Sequence, residues 1–226
     1  MTASANPEEH SQFFDPDQAD ENTLGKATAP QAGFVGYATL AAVGRIGKDS
    51  TMCPNVAQSL QLAKMVSTAC QAMEKLDEWA QKNGEELQGI IAAFYGNVND
   101  LESRLRPKDW WERLVKSYVT IGLFADLAKE VGGGTDLELA HPAMTDFGYA
   151  NFAQPLLKSY VASHPNEAAR LSLWGRRVFG ETLGLTREGL TLRLELGVHG
   201  TTRLLEVMQK LGGMHEARME AAGLSG

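Results

Sequence analysis

One tetrapeptide of the chain has the spacing of a metal-binding pair. Glu138-Leu139-Ala140-His141 sets a carboxylate and an imidazole three residues apart, which on a helix would present two ligands from one face. Pro142 follows at once, and a proline belongs at the start of a helix, so the pair is expected in the connection before that helix. His164, His199 and His215 have no acid three positions earlier and are expected as surface or loop residues. For proton chemistry without a metal, the candidates are Asp126, Asp146, Glu181 and Tyr149. Arg176 and Arg177 could grip an anion, but neighbours on a helix point in different directions, so one is expected to pair with a carboxylate and the other to face water. Trp110, Trp111 and Trp174 could stack on a ligand, although packing explains them more simply. Cys53 and Cys70 are too far apart for a Cys-x-x-Cys motif and read as free, buried thiols. Gly132-Gly133-Gly134 lacks the spacing of a phosphate loop and reads as a helix stop.

The elements that must position these groups are helical throughout. Residues 1–31 are acidic and polar, with Phe13 and Phe14 as the only candidate anchors, and read as a flexible N-terminal tail. From Gly33 the residues Phe34, Tyr37, Leu40, Ala41 and Val43 recur at helical spacing. Pro54 opens a second helix whose apolar stripe runs to the stop at Asn83-Gly84, and a shorter segment follows to about Leu105. Asp109 caps a third long helix, apolar around most of its circumference and therefore central and buried. Further helices are expected from Pro142 to Pro165, from Ala168 to about Leu183, and from Thr186 to about Ala222 with breaks at Gly197 and Gly212-Gly213. No alternating strand pattern occurs. The fold class is all-α, a bundle with additional C-terminal helices in one domain over residues 32–226.

Two tryptophan-containing runs add a resemblance. Asp109-Trp110-Trp111-Glu112-Arg113-Leu114-Val115-Lys116-Ser117-Tyr118-Val119, with Gly122 and Ala125-Asp126 beyond it, resembles the third bundle helix of the actinobacterial ferritin-like proteins. Arg170 to Glu181 resembles their fifth helix and Tyr37 to Ile46 their first. These proteins are similar in turn to non-haem diiron hydroxylases that modify tRNA, and the resemblance spans about 33–183. It implies a ferritin-like four-helix bundle and a place for a diiron centre, which takes a carboxylate from each of two helices and a Glu-x-x-His pair from each of the other two. The family's pattern puts those positions at Thr39, at Ala69 and Ala72, at Ile121 with Asp126 nearby, and at Asp146 and Tyr149. Two acids remain and both histidines are gone. A degenerate site is expected, with its cavity refilled by side chains and the phenol of Tyr149 hydrogen-bonded to Asp126 or Asp146.

Composition narrows the partners. The net charge of −7 lacks the cationic surplus that non-specific nucleic-acid binding requires. The first residues are polar and acidic, unlike a signal peptide, and no apolar run is long enough to span a bilayer, so a cytoplasmic protein without membrane contact is expected. The resulting expectation is a binding or structural protein without a functional diiron centre. It would act as a homodimer, with a protein partner or with a small apolar ligand near Thr39, Ala69, Ala72 and Ile121. The alternative is a hydroxylase-type oxidoreductase with an altered site. No catalytic residue or cofactor is assigned; iron or manganese enters only if the altered site still holds a metal.

Overall fold

The computed structural model describes residues 24–95, 99–193 and 198–226, excluding the side chains of residues 99, 100, 102, 139, 141, 188–193 and 198–204. Phe13, Phe14 and the acidic residues before Leu24 lie outside the described residues, as does the expected break at Gly197. The described residues are helical, with no strand beyond one isolated bridge between Gly25 and Thr135.

Helix α1 (Ala29–Met52) begins four residues before the expected start at Gly33. A capping box fixes its first turn: the Gln31 amide donates to the Thr28 hydroxyl (3.4 Å) and the Thr28 amide to the Gln31 side chain (2.8 Å). The residues just before it are also engaged. The amide of Gly25 donates to the Gly134 carbonyl, and that of Ala27 to the Asp136 carboxylate, each at 2.9 Å. The stretch 24–31 is therefore part of the fold and not of a tail.

Helix α2 (Val56–Lys82) is capped by the Asn55 side chain, so Pro54 precedes the cap and does not occupy the first helical position. The segment to Leu105 resolves into two short helices, α3 (Leu87–Ala92) and α4 (Asn99–Arg104). Helix α5 (Trp110–Gly132) is capped by Asp109, whose carboxylate accepts the Glu112 amide at 2.8 Å, and it stops at the glycine run as expected.

Pro142 does not open a long helix. Asp136–Met144 is a 3-10 segment kinked at Ala140, and α6 (Tyr149–Ser163) starts only after Phe147 and Gly148, both with positive φ (55° and 82°). The Asp146 carboxylate holds this entry, accepting the amides of Gly148 (3.0 Å) and Ala150 (2.8 Å). Helix α7 (Pro165–Arg193) passes without a break through 183–186, where two helices were expected. Helix α8 (Val198–Ala221) likewise runs through Gly212-Gly213. Leu211, His215 and Met219 are buried on either side of that glycine pair, and tertiary packing outweighs its low helix propensity.

Helix α5 is the central rod. α1 packs along α2 and across α5, and the 3-10 segment closes the space among the three. α6, α7 and α8 pack on other faces of α5. No helix among the described residues is long and apolar enough to cross a membrane.

Candidate functional site

The positions that the resemblance assigns to a diiron centre are buried among the described residues. Thr39, on the inner face of α1, is fully buried, and its hydroxyl lies 2.9 Å from the Val35 carbonyl of its own helix and 3.2 Å from the Ala143 carbonyl of the 3-10 segment. Ala69 and Ala72 of α2 and Ile121 of α5 are buried members of the same apolar core. Together the four offer one hydroxyl, already committed to backbone oxygens, and no carboxylate or imidazole.

The two acids at the assigned positions, Asp126 and Asp146, are both engaged. Five residues along a helix turn the direction by about 140°, so Asp126 leaves the α5 face that carries Ile121. It pairs with Arg218 of α8. Asp146 caps α6 as described. Glu138 accepts the Gly134 amide at 2.6 Å, closing the turn that precedes the 3-10 segment. The side chain of His141 lies outside the described residues, as does that of His199. Among the described residues no three His, Cys, Asp or Glu side chains gather where they could hold a metal ion. The donor set does not fit the diiron centre that a ferritin-like bundle implies.

Tyr149 is buried, but neither expected acid receives its proton. Its hydroxyl donates to Asp49 Oδ2 at 2.7 Å. Asp49, near the end of α1, also meets Arg113 Nη1 at 3.3 Å and the Ser117 side chain, both from α5. Burial pushes its carboxyl above the ordinary range, and the hydrogen bonds from Ser117, Tyr149 and Arg113 only partly offset this. The Tyr149 phenol is driven well upward by burial and by the carboxylate beside it. This cluster of Asp49, Arg113, Ser117 and Tyr149 ties α1, α5 and α6 together at one end of the bundle. Sequence reasoning missed it, and the available signal was Asp49 lying three residues after Ile46 on the buried stripe of α1.

His215 also departs from expectation. It is buried on α8, its ring stacked on Phe179 of α7 at 4.1 Å, with neither nitrogen hydrogen-bonded. Burial, and then the positive charges of Arg218 and Arg176, push it down to about 4. Cys53 and Cys70 are both free, but Cys70 is exposed. The tryptophans pack as expected: Trp111 stacks on Tyr160 with centroids 3.7 Å apart, and the Trp174 indole donates to the Glu112 carbonyl at 2.7 Å.

Arg176 and Arg177 do not separate into a paired and a solvated residue. Both are exposed and both border a surface cleft on α7, together with Arg104 and Glu181. Arg104 meets Glu181 at 3.4 Å.

Comparison with known proteins supports the fold. The profile of a family described as a ferritin-like domain of actinomycetes matches residues 25–191. A search of curated proteins finds no match.

Proposed function

The chain belongs to that family of ferritin-like domains of actinomycetes, and from this premise we propose that it is a binding or scaffolding member that works without a diiron centre. The observation that carries the reading is the burial of Thr39. Where the resemblance places a metal ligand on α1, a buried hydroxyl bridges to the Ala143 carbonyl, and Ala69, Ala72 and Ile121, at the other assigned positions, are buried side chains without a ligand atom. The oxidoreductase reading, in which kinship with tRNA-modifying hydroxylases would bring an altered centre, needs Asp126 and Asp146 to be available. One is paired with Arg218 and the other caps α6.

Binding is expected through the surface, as a homodimer or with another protein. A groove of about 370 Å³ is lined by Leu40 and Val43 of α1, Cys70, Met73, Glu74 and Asp77 of α2, and Leu87 of α3. Val56 and Leu60 stand exposed on the same helix α2. Such apolar surface is where a partner would gain affinity. A cytoplasmic setting, reducing enough to keep Cys53 and Cys70 as thiols, is consistent with this role.

The test is metal content. Protein produced with added iron and manganese and purified without chelator is expected to carry far less than one equivalent, and titration with Fe(II) or Mn(II) to leave its melting temperature unchanged. Near-stoichiometric iron or manganese, or marked thermal stabilisation by either ion, would overturn the reading.

A further inference from the structure

The geometry points to the α7 cleft as a binding site for the phosphate group of a small phosphate monoester, held by Arg176 and Arg177 over a floor made by Gly180 and Gly184. The inference does not depend on whether the bundle holds a metal.

The cleft follows from two adjacent rows of α7. Residues four apart share a helix face, so Arg176, Gly180 and Gly184 form one row and Arg177, Glu181 and Leu185 the next. All six line the cleft, as does Arg104 from α4. Without side chains, Gly180 and Gly184 lower the surface between flanking groups, and a Cβ at either would meet nothing within 4 Å. The result is a trough of about 420 Å³ with guanidinium groups at one end and Leu185 at the other. That volume exceeds a bare phosphate and suits a molecule with an organic portion lying along the glycine floor.

Charge selects the headgroup. The chain as a whole is at −7, yet three guanidinium groups meet here with two carboxylates, Glu181 in the cleft and the terminal one of Gly226 on Arg176, a local reversal of sign. Among the described residues neither Arg176 nor Arg177 has a carboxylate side chain within ion-pair distance. Arg177 donates to the Arg104 carbonyl at 3.3 Å, and Arg176 to an oxygen of the terminal Gly226 carboxylate at 3.0 Å. Arg177 also lies over the Trp174 ring, 5.9 Å from its centroid. These contacts hold the guanidinium groups in place and leave N–H donors on each, the preorganised fork that matches phosphate oxygens. A phosphate monoester carries close to two negative charges at neutral pH, which complements guanidinium groups that outnumber the carboxylates beside them.

Isothermal titration of the full chain with phenyl phosphate at constant ionic strength, with phenol as the uncharged control, tests the assignment. Saturable binding of phenyl phosphate and none of phenol is expected. R176A/R177A should weaken binding by roughly tenfold or more, as loss of charge-assisted forks requires. E181Q should tighten binding several-fold by removing the like charge. If the double variant proves poorly folded, E181Q decides alone, because weaker binding in that variant contradicts the site. Absence of saturation at millimolar phenyl phosphate, equal binding of phenol, or unchanged affinity in a folded R176A/R177A would each overturn the proposal.

Discussion

At the scale of single residues, two buried titratable groups, Asp49 and His215, respond to pH in opposite directions. Asp49 has its pKa raised in the folded state by burial. Its contribution to stability is therefore complete below the ordinary carboxylate range and is lost as pH rises through the raised value. His215 is the reverse case, with a folded value near 4 against an ordinary 6.5. Its contribution is present above pH 6.5 and is lost as pH falls toward 4, at about 1.4 kcal/mol per pH unit for one proton. Denaturant unfolding across pH 4–8 should show H215F losing less stability than the wild type on acidification, and D49N losing less on going from acid to neutral pH. At neutral pH, Y149F should cost about 1–3 kcal/mol, by removing a hydrogen bond to a buried carboxylate. D49A should cost more than D49N, because it leaves Arg113 facing an empty space. An equal cost for D49A and D49N would mean that this polar cluster does not hold the three helices together. That alanine at 69 and 72 and isoleucine at 121 carry no ligand atom is readable from residue type alone. Partners across the core were not legible. Nothing in the spacing of Tyr149 distinguishes an acid three residues before it from Asp49, 100 residues away.

At the scale of elements, the sequence carried the helices by their stripes and caps, and misplaced those whose boundaries depend on tertiary contact. Asp109 and Asn83-Gly84 mark their helix ends by local chemistry and were readable. The glycines of α8 and the stretch of α7 between Leu183 and Thr186 look like interruptions in isolation. They are spanned because Thr182, Thr186, Leu211 and His215 are buried on either side of them. The 3-10 segment escaped notice for a related reason. Its turns are stabilised by Gly25 and Ala27 strapping across Thr135 and Asp136, contacts more than a hundred residues apart. Glycine on α1 separates the two kinds of position. A Cβ on Gly33 would lie 2.5 Å from the Ile90 carbonyl oxygen of α3, a backbone atom that cannot step aside, whereas one on Gly44 would meet nothing within 4 Å. G33A is expected to destabilise by about 1–3 kcal/mol through overpacking. G44A is expected to stabilise by up to about 1 kcal/mol, through the higher helix propensity of alanine. Thermal or denaturant unfolding of the two variants checks the pair, and destabilisation by both would remove close approach of α1 and α3 as the distinction.

At the scale of the whole molecule, the open question is whether the matched family region is a folding unit by itself. The match ends at residue 191, before α8 begins at Val198. α8 nevertheless completes the core. Leu211, Met219 and Ala222 are fully buried, the Met219 side chain fills the notch left by Gly175 of α7, and Arg218 lies over Gly122 of α5. The Arg218 guanidinium pairs with Asp126, and its carbonyl accepts the Tyr118 hydroxyl at 2.8 Å. Removing α8 would uncover apolar side chains worth about 1.5–3 kcal/mol each. It would also leave Asp126 without its cation, a loss of about 3–5 kcal/mol for a buried pair. The sum is of the same order as the whole stability of a typical domain, about 5–15 kcal/mol. A chain ending at Arg193 is therefore expected to lose the cooperative thermal transition and to bind a hydrophobic dye, while retaining much of its helical circular dichroism. If it instead unfolds cooperatively at a melting temperature near that of the full chain, α8 is an accessory laid on a self-sufficient bundle, and the burial of Arg218 and His215 must be explained by something other than stability.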